Sequence, residues 1–212
     1  MKNIIEIYDK YKIRPNLQEH MLRVAAVASL ICDNLKSPVP KKQILLMCLL
    51  HDMGNILKYQ AFDYYPEFVK LDGVEHWEKV REEFKKKYGD NEDEATLQIV
   101  NEIGMDPKTL EEFKLFILSE YEDFRKIDNL AVKVCKYSDM RISPFGVLPL
   151  LERLKEWQKR NPKLTEEYMK KVYEIISEVE EQIFKKSKIK PEDITDEAIA
   201  PIILELRNFV IE

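Results

Sequence analysis

Apolar residues recur along this chain at intervals of three and four, and nearly every periodic segment reads as helix. A short helix is predicted over about 2–12, stopped by Arg14-Pro15. Asn16 is placed to cap the next, which runs to about 35 with the stripe Leu17, Met21, Val24, Ala28, Ile31 and Leu35. Ser37-Pro38-Val39-Pro40 is a rigid connector, and the helix over 41–50 is so apolar that it belongs in the core. Further helices are predicted at about 74–88, 93–103, 107–121, 128–140, 147–160, 164–187 and 194–211. The longest carries the stripe Tyr168, Val172, Ile175, Ile176, Val179 and Ile183. Residues 52–72 look irregular and hold Tyr59, Phe62, Tyr64, Tyr65 and Phe68, either a wall or lid over a site or aromatic residues packing a loop onto the core.

The expected fold class is therefore all-α: a helical bundle with additional C-terminal helices. It is read as a single domain over 1–212, with a core at about 15–145 and a helical extension at about 146–212. Only 5 glycines argues against a sheet-rich fold with many tight turns. The net charge of -5 gives no support for broad nucleic-acid or membrane-surface binding, so an anionic substrate needs a local positive centre. No apolar run approaches the ~20 residues that span a bilayer, and the N-terminus lacks a signal-peptide core. Cys32, Cys48 and Cys135 each lie in an apolar helical stretch without Cys-x-x-Cys spacing, which suits buried thiols in a reducing cytoplasm.

Three ionisable positions interrupt these apolar faces. His20 shares helical spacing with Val24, Val27 and Ile31; His51 continues Ile44, Met47 and Cys48; Asp139 follows Val132 and Cys135. Asp52 stands directly after His51. An unpaired carboxylate on an apolar face is costly, because its charge loses water without gaining a partner. A lone inward His is usually a hydrogen-bonded core residue, and a lone Asp at a helix end is usually a cap or ion-pair partner. The ensemble shifts that balance: the chain has 3 histidines, and two fall on apolar helices. Two imidazoles and two carboxylates can share one divalent ion, which Mn, Fe, Co, Ni, Zn or Mg would satisfy. If they do, the imidazoles of His20 and His51 lie within about 8 Å of each other.

His20, then Leu49-Leu50-His51-Asp52-Met53-Gly54-Asn55, then Tyr137-Ser138-Asp139-Met140-Arg141, resemble the His…His-Asp…Asp signature of the HD-domain metal-dependent phosphohydrolase superfamily. The resemblance spans residues 20–139. It implies an all-α HD-type core with His20, His51, Asp52 and Asp139 as ligands of one metal ion. It further implies hydrolysis of phosphate esters. Asp52 is the candidate catalytic residue, with Asp139 or a nearby acid as alternative proton acceptors. The expected substrate is a nucleotide or similar small phosphate ester; the alternative is a catalytically silent binding or regulatory module. Many members carry lysine or glutamate where this chain has Asn55. Two-metal members carry extra histidines, whereas here only His76 is available, and a surface or packing role beside Trp77 suits it better. Glu92, Asp93 and Glu94 read as the charged start of a helix rather than ligands.

Candidate substrate contacts are Arg23, one turn after His20, together with Asn55, Lys58 and Arg141. The amphipathic C-terminal helices either cover the core or meet a second copy in a homo-oligomer.

Overall fold

The computed structural model describes residues 2–58 and 72–211. Its helices are α1 (Ile4–Lys10), α2 (Pro15–Asn34), α3 (Lys41–Leu50), α4 (Val74–Tyr88), α5 (Glu92–Ile103), α6 (Pro107–Leu118), α7 (Leu130–Asp139), α8 (Leu150–Arg160), α9 (Glu166–Phe184) and α10 (Asp196–Leu206). The all-α expectation is met. Several starts follow from capping chemistry: Asn91, Asp106, Asn129, Thr165 and Thr195 each accept a hydrogen bond from a backbone N–H of the first turn.

Helices α2 and α3 form the centre. The run Val24 to Ala28 of α2 is completely buried, so this helix is enclosed on more than the single stripe its spacing announces. It packs against α3, α7 and α10. Ile44, Met47 and Leu49 of α3 are also fully buried, each contributing about 1.5–3 kcal/mol by leaving water. Tyr8 reaches across from α1 and donates its hydroxyl hydrogen to the Leu49 carbonyl at 2.7 Å. That bond satisfies an orphan acceptor at the end of α3 and helps fix where the helix stops.

The start of α2 differs from expectation. Arg14 is the N-cap, Pro15 opens the helix, and Asn16 lies inside it rather than capping it. Proline fits the first helical turn because its φ is already helical and its missing N–H is not needed there. Two short pairings also carry no sequence signature. β1 (Lys2–Asn3) pairs antiparallel with β4 (Val210–Ile211), and β2 (Ile142–Ser143) with β3 (Gly146–Val147). The helix expected over 194–211 ends at Leu206, which frees the following residues for β4.

The C-terminal helices cover the core: α10 packs on α2 and α9 on α7. An ion pair between Arg207 and Glu19 ties the end of the chain to α2. Among the described residues no helix is long and apolar enough to cross a membrane. The aromatic stretch Tyr59, Phe62, Tyr64, Tyr65 and Phe68 lies outside the described residues.

Candidate metal centre

Packing of α2, α3 and α7 brings four distant side chains to one place. His20 projects from α2, His51 caps the C-terminus of α3, Asp52 follows it, and Asp139 is the last residue of α7. The rings of His20 and His51 are 5.4 Å apart, well inside the expected limit. Asp139 Oδ1 lies 3.3 Å from His20 Nε2 and 3.6 Å from His51 Nε2. Asp52 Oδ2 lies 3.9 Å and 3.8 Å from the same two atoms. Ligand atoms of His20, His51 and Asp52 all fall within 4.8 Å of one another, a span that one cation can bridge.

His51 gives the most telling detail. Its Nδ1 contacts the Cys48 carbonyl oxygen at 2.8 Å and must donate the hydrogen, since a carbonyl only accepts. In a neutral ring this leaves a lone pair on Nε2. That atom is buried and has no hydrogen-bond partner, while facing the carboxylates of Asp139 and Asp52. Acceptors facing acceptors require a cation or a proton between them. A divalent ion fits, and a backbone carbonyl behind a liganding imidazole is the usual way its tautomer is fixed.

The metal-free electrostatics agree. Burial alone would lower the His51 pKa, but Asp52 and Asp139 outweigh it and raise it to about 9. Loss of water would raise Asp139, yet His20 and His51 hold its carboxyl well below the usual carboxylate range. Without metal, a proton takes the cation's place.

The turn bearing His51-Asp52 is held against α5. Gly54 donates its backbone N–H to Thr96 Oγ1 at 2.9 Å. A Cβ built on Gly54 would lie 2.2 Å from the Glu92 carbonyl oxygen and 2.9 Å from Thr96 Oγ1. Backbone cannot swing aside as a side-chain tip can. Gly54→Ala is therefore expected to cost about 3 kcal/mol, read as a lower urea midpoint, because overpacking forces turn and helix apart. A midpoint equal to wild type would show that the contact yields freely.

Asn55, expected to meet substrate, bridges two protein groups. Its Nδ2 donates to Asp52 Oδ2 at 3.1 Å, and its Oδ1 accepts from Arg14 Nη2 at 3.1 Å. Arg14 was not anticipated. Burial lowers its pKa to about 10, with Asp52 opposing, so it stays charged at neutral pH. Lys58 pairs with Glu92 at 2.9 Å; burial opposes its charge, but Asp52 and Glu92 prevail and raise its pKa. Arg23 is half-buried and makes no hydrogen bond or ion pair among the described residues.

Arg141 must be corrected. Its guanidinium donates to the carbonyls of Leu148, Pro191 and Ile194 and to the Tyr137 hydroxyl. It is 3% exposed and ties the chain after α7 to the C-terminal extension, so it is committed to structure rather than to substrate. A cation on the other side of Asp139 was missed. Lys136 lies one turn before it, with Nζ 4.6 Å from the centre of the Tyr121 ring and 5.3 Å from that of Phe124. Burial lowers its pKa, while Asp139 and Asp52 favour its charge. Its one-turn spacing from Asp139 is the sequence signal for it, as the same spacing from His20 is for Arg23. Phe116, whose ring lies 5.5 Å from that of His51, had no such signal.

His76 is exposed and packs edge-on against Trp77 at 4.9 Å, as anticipated. Glu92, Asp93 and Glu94 do start α5, but the Glu92 and Asp93 carboxyls are both raised, first by burial, with Asp52 adding to the effect. The start of α5 thus borders the centre. Cys48 and Cys135 are buried free thiols, and Cys32 is half-buried.

The HD domain family matches residues 17–136, more than half of the chain, and the matched segment contains His20, His51 and Asp52. No curated protein and no solved structure matches the chain. With a helical fold, a His-His-Asp cluster inside the matched segment and a family match over more than half of the chain, the chain belongs to the HD domain family, the metal-dependent phosphohydrolase superfamily.

Proposed function

We propose that this protein is a metal-dependent phosphohydrolase acting on a nucleotide or similar small phosphate ester. The observation that carries this reading is the buried, unpartnered Nε2 of His51 aimed at two carboxylates. His20, His51, Asp52 and Asp139 would hold one divalent ion. Such an ion, when bound, acidifies water and neutralises phosphate charge. The protein's part is to position and to move protons. Asp52, held by the Asn55 amide and facing the imidazoles, would accept the proton of an attacking water. Lys58, Lys136 and Arg23 supply the positive rim that a chain of net charge -5 otherwise lacks for an anionic ester.

The test is a panel of nucleoside monophosphates and generic phosphomonoesters and diesters, assayed with Mn, Co, Ni, Zn and Mg in turn. Turnover of at least one ester that stops on chelation is expected. Tight metal binding with no turnover on the whole panel favours a second reading, a binding or regulatory module. One observation supports that rival: Asn55 stands beside Asp52 with an amide that transfers no proton, where many members carry an acid or a lysine.

A further inference from the structure

We propose that Arg14 is a positioning residue for Asp52, acting through the Asn55 amide. The inference rests on the metal-centre reading above. A guanidinium can only donate, so the amide oxygen of Asn55 must face Arg14, and its NH2 must then face Asp52. The orientation of this amide is fixed by chemistry. The carboxylate oxygen it holds, Oδ2, is the one that lies 3.9 Å and 3.8 Å from the two imidazole Nε2 atoms. The relay thus presets the ligand oxygen itself, from an arginine that is 4% exposed and anchored at the N-cap of α2, the helix that carries His20.

Charge explains why an amide serves here. Asp52 and Asp139 together balance a divalent cation. An acid at position 55 would add a third negative charge and draw Arg14 into a separate ion pair. Asn55 transmits the orientation without adding charge to the centre.

The experiment measures Mn2+ affinity by calorimetry on full-length protein shown folded by circular dichroism, so it needs no substrate. Arg14→Lys keeps the charge and loses the fork; Asn55→Leu keeps the branched shape at a larger volume and loses both hydrogen bonds. Each is expected to weaken Mn2+ binding 10- to 100-fold, the range for groups that orient metal ligands. In the double variant, Arg14→Lys should add less than about twofold to the loss caused by Asn55→Leu, since the route is already cut. Wild-type affinity in Arg14→Lys, or losses that multiply in the double variant, would overturn the relay and leave Arg14 acting by charge alone. A purely structural role would lower the melting temperature without moving the affinity of the folded protein. If Arg14→Lys does not fold, Asn55→Leu decides alone, and wild-type Mn2+ affinity there overturns the proposal. If the wild type binds no Mn2+, the metal reading itself falls and the relay with it, an outcome distinct from the others.

Discussion

Asp52→Ala is expected to abolish phosphate-ester hydrolysis and to weaken metal binding by roughly a hundredfold, while leaving the far-ultraviolet dichroism almost unchanged. Four-ligand sites release about 10–16 kcal/mol on binding, so one ligand carries about 3 kcal/mol, or a factor near a hundred. Folding is spared because Asp52 is only partly buried and lies just outside α3, whose core residues Ile44, Met47 and Leu49 keep their packing. Removing the carboxylate also frees the Asn55 amide, which water can satisfy. Metal affinity and turnover measured together decide the matter. Full activity in this variant would remove Asp52 from the site.

Metal affinity is expected to climb steadily with pH up to about 9, well past the ordinary histidine range. The cause is His51, whose folded pKa is raised to about 9 because the attraction of Asp52 and Asp139 exceeds the penalty of burial. At neutral pH a metal must displace that proton. Apparent affinity should therefore rise about tenfold per pH unit through neutrality and level off near the raised value. The stability of the metal-free protein runs the other way. A raised folded pKa stabilises the protein fully below the unfolded value of about 6.5 and loses that stabilisation as pH rises through about 9, on the order of 3 kcal/mol. Asp139, with its pKa depressed, sets the acid side: its contribution is present above the unfolded value and lost as pH falls through the folded one. Melting curves with and without Mn2+ from pH 6 to 8.5 should thus diverge as pH rises. Affinity that levels off at about pH 7 would mean that His51 is not a ligand, or not held by these acids.

Three of the four candidate ligands, His20, His51 and Asp139, were legible in the sequence because each breaks an apolar helical face, and Asp52 because it stands directly after His51. Burying His51 or Asp139 without a partner would be costly, so their presence on such faces already called for a shared cation. The helices were legible from the spacing of their apolar residues, whereas the caps Asn91, Asp106, Thr165 and Thr195 emerge from the structure. What stayed hidden depends on contacts between distant residues. Arg14 meets Asn55 across 41 positions, and no periodicity announces that meeting. The pairing of Lys2–Asn3 with Val210–Ile211 involves strands too short to show alternation. Arg141 shows that nearness in sequence does not give nearness in space. Asp139 ends α7, and two residues later the backbone has turned toward the carbonyls of Leu148, Pro191 and Ile194. Lys136, one helical turn before Asp139, is the cation that helix geometry favours near that carboxylate.

The most direct test is anomalous diffraction from crystals grown with Mn2+. One peak is predicted, lying about 2.0–2.3 Å from Nε2 of His20, Nε2 of His51 and carboxylate oxygens of Asp52 and Asp139. Absence of a peak between these side chains in Mn2+-saturated crystals, or a peak bound elsewhere with His51 Nε2 still unligated, would contradict the account.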